Sequence, residues 1–170
     1  MALRNLSLLF ISLFILAACG GGGGSTTTST AGCSPSTTNL CITVVGGKYV
    51  VQNSSSAGVS QKTLTLNAGT YTFDQTDSSN VTPAGAYGSA RIHQIGFSTT
   101  SDGTFGGGST YSTGVNTSGS PGSNGKTTIV IDASTPSTLY YYCVNHTGMG
   151  GTINIVIGNQ SEQVEFTETN

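Results

Sequence analysis

The chain has 170 residues, of which only 7% are charged, and 5 Lys and Arg stand against 7 Asp and Glu for a formal net charge of −2. That balance leaves no basic footprint for nucleic acid. The 25 glycines and the many Ser and Thr lie between β-branched and aromatic runs, a pattern that argues for an all-β domain over a disordered chain.

Residues 1–18 carry one positive side chain, Arg4, ahead of an apolar run from Leu6 to Ala18 that is too short for a membrane span. They read as a signal peptide. The run ends in Leu16-Ala17-Ala18-Cys19-Gly20, which resembles the lipobox of bacterial lipoproteins. The resemblance implies cleavage before Cys19 and its acylation, and with Gly rather than Asp following, an outer-membrane anchor if the cell is Gram-negative. An ordinary signal peptide with an incidental cysteine is the competing reading. Residues 19–32 are Gly, Ser and Thr with little to bury, and a coil of that composition spans on the order of 20 Å root mean square, a flexible tether.

Residues 33–158 are enough for one domain with its own core, and residues 159–170 form a polar tail with three glutamates. Strands are expected at 42–45 and 48–52, joined by the hairpin pair Gly46-Gly47, then at 63–66 and 70–74 around Asn67-Ala68-Gly69. After a polar stretch, 75–88, further strands are expected at 92–98, 111–115, 127–131, 139–143 and 152–157. Short strands without helical periodicity predict a Greek-key β-sandwich. Ser120 to Thr127 approaches the phosphate-binding pattern G-x-x-x-x-G-K-[ST], but Ser120 replaces the first glycine and the segment enters a strand, so it reads as a turn. Residues 98–108, with Asp102-Gly103 and three successive glycines, read as solvent-facing turn chemistry.

The stretch Cys143-Val144-Asn145-His146-Thr147-Gly148-Met149 brings a thiol, an imidazole and a thioether together where two strands turn around. The other histidine of the chain, His93, lies at the start of the expected strand 92–98. Two His, one Cys and a weak axial Met are the ligand set of a blue-copper electron-transfer site. The mature part holds no other histidine and no other methionine, so its soft ligands match one such site with none left over. Zinc is the runner-up metal, since Cys and His suit it too. With Cys19 lipidated, three cysteines remain in an oxidising compartment. Pairing Cys33 with Cys41 leaves Cys143 for a metal. A bridge from Cys143 to Cys33 or Cys41 is the open alternative.

This layout, a distant His followed by a Cys, His, Met loop and a last alternating strand over residues 42–157, resembles the cupredoxins, the small type 1 blue copper proteins. The spacing is most similar to amicyanin, and the Tyr-rich run before the cysteine is similar to plastocyanin. The resemblance implies one copper ion held by His93, Cys143, His146 and Met149, and a redox partner protein in the cell envelope for a monomer tethered to the membrane. In many members the distant His follows Asn and precedes Pro, and a polar residue follows the Cys, so that hydrogen bonds link the ligand segments. Here Ile92, Gln94 and Val144 occupy those positions.

Two histidines fill one mononuclear site and do not furnish the further copper ions of an oxidase or nitrite reductase. No nucleophile-elbow pattern accompanies either of them, so an enzyme is not expected. Three readings remain: an electron carrier, a copper storage or delivery protein, and a copperless sandwich used for surface interactions.

Overall fold

The computed structural model describes residues 32–84 and 90–158. The expected signal peptide, the expected lipidation site Cys19, the expected tether up to residue 31 and the expected tail 159–170 lie outside the described residues. Short alternating segments form thirteen strands among those described: β1 (Asn39–Val45), β2 (Lys48–Asn53), β3 (Ser56–Ser60), β4 (Leu64–Asn67), β5 (Gly69–Asp74), β6 (Val81–Thr82), β7 (Arg91–Ile92), β8 (Ile95–Ser98), β9 (Thr110–Tyr111), β10 (Val115–Ser118), β11 (Lys126–Ile131), β12 (Thr138–Cys143) and β13 (His146–Val156). Two single 3-10 turns, Ser78–Asn80 and Gly103–Gly106, interrupt them.

One sheet runs β10-β11-β5-β1-β2-β3, the other β4-β13-β12-β8-β9, and β6 pairs with β7 apart from both. The chain leaves the first sheet after β3, enters the second as β4 and returns as β5, so strands adjacent in sequence are divided between layers. As expected, the result is an all-β Greek-key sandwich. Both sheets are mixed, with β1 parallel to β5 and β13 parallel to β4.

The pleat sends every second side chain inward. Leu40 and Ile42 of β1, Tyr49 and Val51 of β2, Tyr71 and Phe73 of β5 and Ile129 and Ile131 of β11 meet Ile95 and Phe97 of β8, Leu139 and Tyr141 of β12 and Ile153 and Ile155 of β13 in one core. Each such side chain contributes about 1.5–3 kcal/mol on burial. Phe73 sets its ring edge-on to Phe97 at 5.1 Å between centroids, joining the sheets across the middle. The same alternation places Cys143 inward with Leu139 and Tyr141, which is how a thiol at the end of an aromatic strand becomes buried. Cys33 and Cys41 form the expected disulfide with Cα atoms 5.9 Å apart, closing a short loop worth about 2.5 kcal/mol in the chain-entropy account. Cys143 is left as the free cysteine among the described residues.

The expected hairpin at Gly46-Gly47 is present, with φ of 57° and 73°. Four expectations need correction. Strand β3 was not foreseen, because Ser56–Ser60 is an almost entirely exposed edge with little apolar patterning. The segment 111–115 is divided between β9 and β10, where Gly114 turns the chain at φ 68°. The segment 92–98 is broken at His93 and Gln94, and the strand expected at 152–157 begins at His146. Both of these last departures shape the site. The Ser120 to Thr127 segment is a turn leading into β11, where Lys126 pairs with Asp74 at 3.5 Å.

Candidate metal centre

The C-x-x-H spacing is a two-residue hairpin. Cys143 ends β12, His146 opens β13, and the two are direct cross-strand partners around Val144 and Asn145. Facing residues on neighbouring strands have Cβ atoms about 4.5–5.5 Å apart, so the spacing alone carries the imidazole to the sulfur. On the other side of β12, Cys143 pairs with Ile95 of β8. His93 lies two residues before Ile95 and shares its inward parity. Three adjacent strands or their extensions therefore present His93, Cys143 and His146 at one end of the second sheet.

Their donor atoms lie within 4.8 Å of one another. The sulfur of Cys143, wholly buried, is 3.4 Å from Nδ1 of His146 and 4.0 Å from Nδ1 of His93. The two rings are 4.7 Å apart at an interplanar angle of 48°. His93 is 6% exposed and His146 half-buried. On His93, Nε2 lies 3.0 Å from the Thr82 hydroxyl. A proton on Nε2, donated to that hydroxyl, leaves the Nδ1 lone pair free toward the sulfur, the tautomer a metal ligand needs. Burial, then the positive charges of His146 and Arg91, hold His93 below the ordinary imidazole pKa, so it is neutral near pH 7.

The break in the strand at His93 follows from where its backbone bonds go. Its N–H donates to the carbonyl of Asn80 at 2.9 Å, and its carbonyl accepts from the Tyr49 hydroxyl at 2.9 Å and from the Gln75 amide. Gln75 and Asn80 are fully buried. Gln75 also donates to Asn80 Oδ1 at 3.1 Å and accepts from the Ile95 N–H at 3.0 Å and from the Gln94 amide at 3.1 Å. Asn80 in turn donates to the carbonyl of Ile42 in β1 at 2.8 Å. Burial first, then the charge of Cys143 beside it, pushes the Tyr49 hydroxyl far above its usual range, so it remains a donor.

The segments that carry His93 and Cys143 are linked directly, with Ile92, Gln94 and Val144 beside them. Asn145 donates from Nδ2 to the carbonyl of Ile92 at 2.8 Å, and the Val144 N–H donates to the carbonyl of Gln94 at 3.0 Å. Asn145 was not singled out from the sequence, though its residue type, a turn former, is the signal that could have marked it. Gln75, Asn80, Thr82 and Tyr49 carried no spacing signal, because their roles depend on strands that meet only in the fold.

Met149 is 2% exposed and belongs to the same buried cluster as Cys143. It sits in an expansion of the β12–β13 ladder: Tyr141 pairs with Gly151 and Cys143 with His146, so one residue of β12 faces the four from Thr147 to Gly150. The expansion closes onto β12 at Gly150, where any Cβ would stand 1.7 Å from the Tyr141 carbonyl oxygen. Of the neighbouring tyrosines, Tyr141 is in the core with its hydroxyl on the Lys62 carbonyl. Tyr142 is buried on the opposite face, with its hydroxyl 2.8 Å from Thr110 Oγ1.

The structure thus brings His93, Cys143 and His146 into one group able to hold a metal ion and buries Met149 in the adjoining core. No family model matches the chain, and no curated protein is similar to it.

Proposed function

We propose that this protein is a one-electron carrier of the cell envelope in which the Cys143 thiolate and the His93 and His146 imidazoles would hold one type 1 copper ion, with Met149 as a further, weak ligand. The observation that carries the reading is two Nδ1 atoms turned toward one buried sulfur, at 3.4 and 4.0 Å. That donor set suits a copper ion better than a hard cation, and the adjoining thioether favours copper over zinc.

Copper bound there would supply reversible one-electron chemistry between Cu(II) and Cu(I). The chain's own part is to hold its donors in one arrangement for both oxidation states. Thr82 holds the His93 ring, Gln75 and Tyr49 hold its backbone, and the core around Leu139 and Tyr141 keeps water from Cys143. His146, half-buried beside exposed Val144, is the point at which an electron would enter and leave. Cys19 and the tether would keep the domain at the membrane, within reach of a redox partner protein.

Cyclic voltammetry of the copper-loaded protein, run with a chelator competition, tests this function. A reversible couple with slow copper loss is expected. An irreversible couple with ready loss of copper would reassign the protein to copper storage or delivery.

A further inference from the structure

Two non-glycine residues among those described have positive φ, Gln61 at 47° and Asp102 at 58°. Such backbone costs about 1–3 kcal/mol and persists where the surroundings impose it. The two lie far apart in sequence, yet both direct their side chains to the same four residues. Asp102 accepts from the Gly148 N–H at 2.8 Å through Oδ1 and from the Thr147 hydroxyl through Oδ2. Gln61 donates from Nε2 to the carbonyls of Gly148 at 3.2 Å and Gly150 at 2.8 Å, and the Lys48 ammonium also donates to the Gly148 carbonyl.

Asp102 precedes the 3-10 turn Gly103–Gly106 but makes no side-chain cap bond to it. Its carboxylate is committed to the expanded hairpin instead, so the solvent-facing role expected for this turn is incomplete. Gly148 is gripped at both its N–H and its C=O, with φ at +70°, and the next residue is Met149, aimed into the core. An expansion that has lost its ladder bonds would otherwise be free to shift, and with it the thioether.

We propose that Asp102, Gln61 and Lys48 are positioning residues that clamp the Gly148 backbone and thereby fix Met149 relative to Cys143. The effect on a metal rests on the copper reading, whereas the clamp itself stands on the metal-free geometry. Because the grip comes from the loop residues Gln61 and Asp102 and from Lys48 at the start of β2, beside an open cleft of about 320 Å³ that Gln61 and Asp102 line, its removal leaves the core packing in place.

Asp102→Gly is the cleanest variant, because glycine accepts the positive φ and only the carboxylate is lost. Hydrogen exchange of the metal-free full-length protein should show the Gly148 amide speeding by about tenfold or more, the loss of one hydrogen bond to a charged acceptor, with core amides of β5 and β11 unchanged. Asp102→Asn, which keeps an acceptor on Gly148, should restore most of the protection. In the copper form, Asp102→Gly should shift the reduction potential, and the shift should vanish in a Met149→Leu background. Unchanged Gly148 exchange, or an equal potential shift in both backgrounds, overturns the proposal. If the wild type takes up no copper, the exchange result alone decides the clamp, and the failure falls on the metal reading.

Discussion

The two segments that meet at the sulfur are held by opposite means. His93 is fastened from inside, through the fully buried Gln75 and Asn80, the Tyr49 hydroxyl and the far sheet at Ile42. The segment from His146 to Met149 is fastened from outside, by Asp102 and Gln61 reaching over from loops and by Lys48 at the start of β2. Groups withdrawn from water have no substitute partner when one is removed, whereas exposed ones are rescued by solvent. The inner segment therefore contributes to fold stability and site geometry together, and the outer segment can be adjusted with little effect on stability.

The largest expected effect breaks the inner side. Gln75→Ala strands the Ile95 N–H and the Asn80 amide oxygen and leaves the His93 carbonyl with the Tyr49 hydroxyl alone, and should cost about 2–4 kcal/mol of metal-free stability, with each buried unsatisfied group worth about 1–3. Urea denaturation measures it. A loss below about 1 kcal/mol would show that the network is not what anchors His93.

A smaller effect separates geometry from stability on that same side. Thr82 is exposed but holds Nε2 of the His93 ring. Thr82→Val keeps the shape and removes the hydroxyl, and should weaken metal affinity by about 10–100-fold while leaving denaturation nearly unchanged. Competition with a chelator of known affinity reads the difference.

The smallest effect is on pH. His93 titrates below its unfolded value, so between the folded pKa and the unfolded value of 6.5 the unfolded chain binds more protons. Its contribution to metal-free stability is therefore full above about pH 6.5 and is lost as pH falls through the folded value. His93→Gln should flatten that part of the stability profile, measured by denaturation from pH 7 to pH 5.

The parts legible in the sequence were those governed by local spacing. C-x-x-H puts a thiol and an imidazole where two strands turn around, although the tight hairpin there was not foreseen; alternation along Leu139 to Cys143 sends the thiol inward, and Gly46-Gly47 makes a turn. His93 was expected at the start of a strand, but the strand breaks there because its backbone bonds go to Asn80, Tyr49 and Gln75. What was not legible came from contacts between residues distant in the chain. Asp102 reads as a turn residue until the fold carries it to Gly148, and Gln75 as part of a polar stretch until burial leaves it satisfying four neighbours.

The most direct test of the central claim is a visible absorption spectrum during titration of the reduced protein with Cu(II), for wild type and Cys143→Ser. The account predicts an intense thiolate-to-copper band that saturates at one copper ion per chain and is absent from the serine variant. A colourless wild-type protein, or a band that survives Cys143→Ser, would contradict it.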